Sequence, residues 1–216
     1  MPGILAIWND IEPEGYEHFE LWYNREHLQE RVGVPGFRFG RRYEAVSDGD
    51  RRFFAFYEVD SPAVLTSPAY LRRLETPTPW TQKTMTYFRG MVRTVCDLRQ
   101  SAGDLVGSYA VVLRADEAFA PTPAASALVE ELAALPSIAR VQIWTAAASQ
   151  TKADTAEMKI RGKDRLTAGA FVVECVRLAD AERVASVLSK SKAADLGMTE
   201  PSVLGIYGLL CIKTSG

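Results

Sequence analysis

The residues best suited to move a proton near neutral pH are two histidines, and both lie in the stretch EHFELWYNREHLQERVGVPGF, residues 17–37. An imidazole titrates close to physiological pH and can act as a general acid or base. The stretch is long enough for a helix, in which each residue advances by about 100°. His18 and His27 are nine residues apart, so they lie on roughly opposite sides of that helix. They cannot bind one metal ion together or form one catalytic pair.

His27 is the better candidate because it lies beside an aromatic face of this helix. Four aromatic residues fall within about a third of the helix circumference: Tyr16, Phe19, Trp22 and Tyr23. His27 follows Tyr23 by four residues and lies at the edge of that face, whereas His18 lies on the far side and is expected to be solvated. We therefore select His27 and Tyr23 as candidate catalytic residues. The alternative is that His27 only interacts with the last carbonyl groups of the helix.

Other side chains could bind a small organic substrate. Arg41 and Arg42 are consecutive in a strand-like run, so they face opposite sides, and one of them could bind a carboxylate or an enolate. We select Arg42, although the sequence alone leaves this choice open. Asn9 could hydrogen-bond a carbonyl oxygen, or it could simply be a turn residue. Aromatic candidates would either line a cavity or fill the core: Trp8, Trp22, Tyr43, Tyr57 and Trp80.

A repeated pattern of strands and helices must position these residues. In the first half, strand-like runs lie at 3–10, 37–46, 51–59 and 91–98, and helix-like stretches lie at 14–31, after Ser61-Pro62 and after Thr78-Pro79 up to residue 89. In the second half, strand-like runs lie at 106–115, 138–147, 169–179 and 202–213, with helices at 123–135 and 180–191. Each half therefore reads β-α-β-β-α-β, the ferredoxin-like motif, with one extra helix in the first.

One such unit leaves a sheet face bare, and two units can bury both faces by packing together. We predict an α+β fold made of two ferredoxin-like βαββαβ repeats with antiparallel sheets, residues 1–100 and 101–216, fused as a pseudo-dimer. The polar stretch 99–105 is predicted to be the linker and 148–168 a long mobile hairpin loop. The first helix of the second half has no His, Trp, Tyr or Phe. We therefore expect the site in the first half and a mainly structural second half.

Composition argues against several classes of protein. The formal net charge of −2 does not favour a nucleic-acid-binding surface. No apolar run approaches the roughly 18 residues of a membrane helix, and the N-terminal MPGILAIWND lacks the positive region of a signal peptide, so we expect a cytoplasmic protein. Cys96, Cys175 and Cys211 form no CxxC pair and are expected to be reduced thiols, with no metal site. Neither a glycine-rich phosphate loop nor a GxSxG motif is present.

The first half resembles a known superfamily. The run HFELWYNREHLQERVGVPGFRFGRRYEA, followed by FFAFYEV and SPAYLRRLETPTPWT, is similar to the dimeric α/β-barrel superfamily, and within it to EthD-like proteins. The matching features are Trp22 and His27 in WYxxEH, then Pro35-Gly36-Phe37, then Arg42-Tyr43. The resemblance covers residues 3–98, and the second half matches in topology only. It implies a pocket between the helices and the outer face of the sheet, with His27 as general acid/base.

The residues and the resemblance together favour a cofactor-independent lyase or isomerase, dehydratase- or decarboxylase-like, that acts on a small aromatic, lactone or polyketide-like compound. The alternatives are a cofactor-free monooxygenase, a haem-binding protein with one of the histidines as ligand, and a non-catalytic small-molecule-binding protein. The expected partner is a small-molecule substrate, with no nucleic acid, membrane or cofactor. A homodimer of the fused pseudo-dimer is also expected.

Overall fold

The computed structural model describes residues 1–150, 154–190 and 193–216. Within this part of the chain, eight antiparallel strands form one closed barrel in the order β1-β3-β2-β8-β5-β7-β6-β4. The strands are β1 (Gly3–Ile11), β2 (Phe37–Ala45), β3 (Phe53–Val59), β4 (Phe88–Ala102), β5 (Tyr109–Ala115), β6 (Ile138–Ala146), β7 (Gly169–Cys175) and β8 (Ser202–Thr214). Helices pack on the outside of the barrel, which confirms the predicted α+β class with an antiparallel sheet.

The strands of each half are neighbours in the barrel. The first half contributes β4-β1-β3-β2 and the second contributes β8-β5-β7-β6, and the two sets meet where β2 pairs with β8 and β4 pairs with β6. Residues 100–102, predicted to be part of a linker, instead continue β4 and pair with β6. The prediction was wrong there because a polar strand edge can satisfy its backbone groups across this seam.

The predicted helices are present in the predicted order with shifted ends, and two short helices, Ala156–Arg161 and Ala193–Leu196, were not predicted. The helices are α1 (Tyr16–Trp22), α2 (Leu28–Val32), α3 (Pro68–Glu75), α4 (Pro79–Met85), α5 (Pro123–Ala133), α6 (Ala156–Arg161), α7 (Leu178–Lys190) and α8 (Ala193–Leu196). Ser61-Pro62 begins only a 3₁₀ turn, and α3 begins after Ser67, whose side chain accepts a hydrogen bond from the Tyr70 amide. Helix α4 ends at Met85 rather than near residue 89 because β4 already begins at Phe88.

The predicted helix at 14–31 contains a π-helical turn. A 3₁₀ turn at Pro13–Gly15 leads into α1, the π-helical turn covers Tyr23–His27, and α2 completes the helix. A π turn widens the helix by closing hydrogen bonds to the fifth residue, and such turns are frequent at functional sites. Spacing arguments based on a regular α-helix therefore fail across this stretch.

Alternation along the strands separates the barrel interior from the outer, helix-covered face. On β1, Ile4 and Trp8 point into the barrel, whereas Leu5 and Ile7 pack under the helices. The interior is filled largely by aromatic side chains from both halves: Trp8, Tyr43, Phe54, Phe56, Trp144 and Tyr207. The first-half and second-half helices each cover a separate outer core. The chain therefore has three packed layers of apolar residues rather than one.

Ion pairs join the two halves of the barrel. Arg41 of β2 donates to Glu174 of β7 at 2.5 Å, and both side chains are almost fully buried. Arg140 of β6 lies 3.9 Å from Glu58 of β3. Each glutamate, at a corresponding position near the end of its strand, thus contacts an arginine of the other half. These pairs fix how the halves meet, because a buried charge without its partner is strongly unfavourable.

The stretch 148–168 is not simply a loop. Its residues 151–153 lie outside the described part, but residues 156–161 form α6, which Thr155 caps by accepting from the Met158 amide. Arg165 then makes backbone hydrogen bonds with Met91 and Arg93 of β4. Helix α6 therefore lies on the first half, against α3 and α4.

Among the described helices, none is both long and apolar enough to cross a membrane.

Candidate active site

A cavity of about 40 Å³ lies between the helices and the outer face of the first-half sheet, where the resemblance implied a pocket. Strands β1, β3 and β4, the helix of residues 16–32, α3, α4 and α6 all contribute to its wall. The volume is room for about three water molecules. An aromatic substrate therefore requires the wall to move outward. Helix α6 is the wall element that belongs to the second half.

His27 lies in the wall of this cavity and is 8% exposed. Its ring stacks on Trp22, with centroids 4.1 Å apart and planes 29° apart, and meets the edge of Tyr23 at 5.0 Å. Among the described residues, its Nδ1 atom is buried without a hydrogen-bond partner. Because His27 contacts two aromatic rings and the cavity, the alternative that it only covers the helix end does not describe its environment.

The pKa of His27 is held well below its ordinary value. Burial is the largest cause, and the positive charges of Arg31, Arg161 and Arg42 add to it. The imidazole is therefore neutral at neutral pH and can accept a proton rather than donate one. An anion placed in the cavity would oppose the arginine charges and raise this pKa. The ligand-free cavity thus contains His27 as a neutral base, and an anionic ligand would favour its protonated form.

Two tyrosine hydroxyls meet at the cavity. The Tyr23 and Tyr57 oxygens are 3.1 Å apart, and both residues line the cavity. Burial raises the pKa of both, most strongly for Tyr57. Both groups therefore remain phenols at neutral pH, and Tyr23 does not act as a phenolate base. One proton is shared between the two oxygens, so the second is available to a ligand oxygen.

Hydrogen bonds to α4 hold Trp22 in place. Its indole N–H donates to Thr81 Oγ1 at 3.0 Å, and the Thr81 hydroxyl donates to Glu26 at 2.9 Å. Glu26 also accepts from Thr78, the N-terminal cap of α4. This chain of hydrogen bonds ties the π-helical turn to α4 and fixes the plane on which His27 stacks.

The charged part of the cavity wall has more positive than negative groups. Arg31, Arg93 and Arg161 all line the cavity. Arg31 pairs with Glu157 of α6, while Arg161 and Arg93 both lie beside Asp164, and Arg93 also donates to Tyr70 at 2.8 Å. These three guanidinium groups face two carboxylates. The wall is therefore suited to an anion or to negative charge that develops during a reaction.

No family model matches the chain, and no curated protein matches it in sequence. Solved structures do match it in fold. An anthrone oxidase-like protein gives a TM-score of 0.63 at 10% identity, covering 100% of this chain and 93% of that chain. A provisionally named monooxygenase from Fusobacterium nucleatum gives 0.59 at 10% identity, covering 100% and 95%. A provisionally named chlorite dismutase gives 0.52 at 12% identity, covering 97% and 95%.

The chain shares the fold of these structures, a closed antiparallel barrel of eight strands in its described part. In this barrel, five of the predicted site residues line the helix-side cavity: Asn9, Trp22, Tyr23, His27 and Tyr57. They come from β1, β3 and the helix of residues 16–32. The structure therefore brings these five residues together at one cavity.

The remaining predicted residues lie elsewhere. Trp8 and Tyr43 point into the interior of the α/β barrel and not toward the cavity, because alternation along each strand sends them to the other face. Trp80 is half-buried on α4 beside His18, with ring centroids 6.2 Å apart. His18 itself is half-buried between Trp80 and Tyr87 rather than solvated. None of these four side chains lines the cavity.

Arg42 lies on the helix side of the sheet and Arg41 in the barrel interior, which decides the choice that the sequence left open. The Arg42 guanidinium lies 4.6 Å from the centre of the Tyr23 ring and pairs with Glu20. Arg42 therefore does not line the cavity, because Tyr23 lies between them, and Glu20 compensates its charge. It acts on His27 at a distance, through its contribution to the lowered pKa.

Four charged residues of the wall were missed by sequence reasoning: Arg31, Arg93, Glu157 and Arg161. Arg31 had a usable signal, since it follows His27 by four residues and so shares its helix face. Glu157 and Arg161 had no such signal in the sequence. They lie in a polar stretch of the second half, and nothing in that stretch indicates that it packs on the first half of the chain. The second half thus contributes to the cavity and does not only complete the barrel.

Proposed function

We propose that the protein is a cofactor-independent enzyme that removes a proton from a small, planar, enolisable or phenolic compound, with His27 as the base. The observation that carries the proposal is a neutral, buried imidazole at a cavity with an excess of positive charge. General base catalysis needs an unprotonated group within reach of the substrate. The favoured reaction class is that of a lyase or isomerase acting on a small aromatic, lactone or polyketide-like molecule.

The reaction begins with transfer of a proton from carbon to the imidazole of His27. The electron pair left on carbon is delocalised onto the neighbouring carbonyl oxygen, giving an enolate. The free proton of the Tyr23–Tyr57 pair and the positive cavity wall stabilise the new negative charge. The imidazolium then returns its proton to another carbon, which completes an isomerisation, or to a leaving group, which completes an elimination.

Trp22 assists the proton transfer by orienting the imidazole of His27. An indole packed against one face of the His27 ring fixes the plane of the imidazole and excludes water from that side. Once the wall has moved outward, its aromatic and aliphatic side chains suit the faces of a flat ring. Asn9 is 4% exposed at the cavity and can donate from its amide to a second substrate oxygen.

A cofactor-free monooxygenase is the second candidate. Two observations favour it: the names of the similar structures, which include an anthrone oxidase-like protein and monooxygenases, and a cavity small and apolar enough for O₂. Removal of a proton by His27 is again the first step. The carbanion supplies the electrons that reduce O₂, so a methylene group and one O₂ give a carbonyl group and one water molecule.

Haem does not fit the described residues. A haem needs a ligand nitrogen facing its iron and a flat slot far larger than a cavity of about 40 Å³. The His27 Nδ1 and His18 Nε2 atoms are buried under neighbouring side chains, so the described structure leaves no slot in front of either of these two nitrogens for a macrocycle. We therefore derive no step through haem.

Two probes test the proposal: β-tetralone and the larger anthrone, each with an acidic methylene group. The protein is incubated with either probe in D₂O under argon, and loss of the methylene proton signal is followed by NMR. We expect the wild type and His18→Ala to accelerate exchange, and His27→Ala not to. Admitting air then separates the classes: oxygen uptake matched by ketone formation indicates a monooxygenase, whereas exchange without uptake indicates a lyase or isomerase.

The finer description of the fold is also a proposal. We propose that residues 1–100 and 101–216 are ferredoxin-like repeats of a fused pseudo-dimer, with the first repeat EthD-like. The matching strand orders of the two halves and the crossed arginine–glutamate pairs support it. A homodimer of the whole chain stays a prediction, which sedimentation velocity would test.

A further inference from the structure

Arg31 lies one helical turn after His27 and lines the same cavity. Residues four apart on a helix have neighbouring side chains, with Cβ atoms about 5–6 Å apart. Arg31 is 3% exposed, and its guanidinium lies 6.0 Å from the centre of the Tyr70 ring. A ligand that reaches His27 is therefore within reach of a buried, permanently charged group.

The two terminal nitrogens of Arg31 differ in their contacts. Nη2 donates to Glu157, which α6 brings from the second half. Nη1 is buried and makes no hydrogen bond in the described part of the chain. Buried N–H groups almost always have a partner, because an unmet donor costs the full loss of its hydration. A free charged donor at a cavity wall indicates an oxygen acceptor supplied by a ligand.

The charges around Arg31 favour an anionic acceptor. Glu157 compensates one guanidinium, and Asp164 lies beside both Arg93 and Arg161. The wall therefore keeps a positive excess, and a buried charge of this kind attracts an anion more strongly than a water molecule. Hydrogen bonds between an arginine and an oxyanion are also about twice as strong as neutral ones.

We propose that Arg31 binds the anionic oxygen of the substrate through Nη1, and that the substrate class is planar compounds bearing a phenolate or enolate oxygen near the carbon that His27 deprotonates. The placement relative to His27 rests on the function proposed above, whereas anion binding by Arg31 does not. Glu157 competes for the same guanidinium. It holds Arg31 in the ligand-free protein, so removal of its charge makes Arg31 more available.

The probe for this site is 4-nitrophenol, whose phenolate absorbs visible light and whose phenol does not. Absorbance titrations across a pH series give the affinity of each form and need no turnover. For the wild type we expect the phenolate to bind about tenfold more tightly than the phenol, which lowers the apparent pKa of the bound probe by about one unit. Equal binding of the two forms, or no binding of the phenolate, would overturn the proposal.

Charge-removing variants locate the anion. Glu157→Gln is expected to bind the phenolate at least threefold more tightly than the wild type, because the competing carboxylate is gone. Arg31→Gln alone would leave Glu157 buried and uncompensated, so the double variant Arg31→Gln/Glu157→Gln is used, and it is expected to lose the preference for phenolate. An unchanged preference in the double variant would assign the anion to another group and overturn the role of Arg31.

The matched controls come from the barrel interior. Arg41 and Glu174 form a similarly buried pair on the other side of the sheet. Glu174→Gln and Arg41→Gln/Glu174→Gln should leave the phenolate affinity within twofold of the wild type. If they change this affinity as much as the Glu157 and Arg31 variants do, the change reflects general destabilisation of the fold and not loss of a specific anion site. The two proposals can fail separately. If His27→Ala keeps both the phenolate preference and a wild-type rate of proton exchange, the result supports anion binding by Arg31 and contradicts only the function of His27.

Discussion

The imidazole of His27 stacks on the indole of Trp22, five residues earlier in the chain, with ring centroids 4.1 Å apart. In a regular α-helix, side chains five residues apart point about 140° apart and cannot stack. The π-helical turn at Tyr23–His27 removes this obstacle by closing its hydrogen bonds one residue later. The turn therefore places the base on the same face as the aromatic residue that orients it, toward the cavity.

His27 should make the folded protein less stable in mild acid. Its folded-state pKa lies well below the ordinary value of 6.5, so between these two values the unfolded chain binds a proton that the folded chain does not. The stability contribution is complete above pH 6.5 and falls as the pH drops, by up to about 1.4 kcal/mol per pH unit. Urea unfolding at pH 5, 6, 7 and 8 should show a steeper loss for the wild type than for His27→Gln. Identical pH dependence in the two proteins would contradict a neutral, buried His27.

The hydroxyls of Tyr23 and Tyr57 should act as one unit. Either single change, Tyr23→Phe or Tyr57→Phe, leaves one hydroxyl that can still donate to the substrate. We expect each to slow proton exchange in the tetralone assay less than tenfold, and the double variant to slow it by much more than the product of the two. Strictly multiplicative effects would show that the hydroxyls contribute independently.

Trp8 should affect stability and not the site. It is 1% exposed inside the barrel and stacks on Phe54 at 5.1 Å, on the opposite side of the sheet from the cavity. Trp8→Ala should lower the free energy of unfolding by about 3–5 kcal/mol, the usual cost of emptying a large aromatic site. The exchange rate per folded molecule, measured well below the unfolding transition, should equal that of the wild type. A lowered exchange rate in Trp8→Ala with an unchanged free energy of unfolding would show that Trp8 contributes to the active site.

The Arg41–Glu174 pair should show its effect when one partner is removed. Glu174→Ala leaves a buried guanidinium and should cost about 3–5 kcal/mol in the free energy of unfolding. Arg41→Met/Glu174→Leu replaces both charges with apolar groups and should recover most of that loss. Denaturant unfolding of both variants at one pH measures the difference. If the double variant is as unstable as the single one, the pair contributes through more than charge compensation.

Sequence reasoning captured features that depend on local pattern. Strand-like runs, the helix start at Thr78-Pro79 and the aromatic face of the first helix are set by neighbours in the chain. All eight strands of the described barrel were therefore predicted near their observed positions. His27, Trp22 and Tyr23 were placed together for the same reason. The two histidines do lie apart, but the π-helical turn between them means that their observed surroundings show this and regular helical spacing does not.

Features set by tertiary contacts were not predictable in this way. Nothing local distinguishes the outward Arg42 from the inward Arg41, because the choice depends on which face of β2 is closed by the barrel. The π-helical turn has no strong sequence signal. The position of α6 over the first half depends on contacts between residues far apart in the chain, such as Arg31 and Glu157, which are 126 positions apart.

The central claim is that the neutral imidazole of His27 accepts a proton from the substrate, and chemical rescue tests it most directly. Deuterium exchange into β-tetralone is measured for the wild type, His18→Ala and His27→Ala, each with and without added free imidazole. We predict that His27→Ala loses at least about 100-fold in rate, within the range expected for a general base, and that imidazole restores exchange in this variant alone. A wild-type exchange rate in His27→Ala without imidazole would contradict the claim.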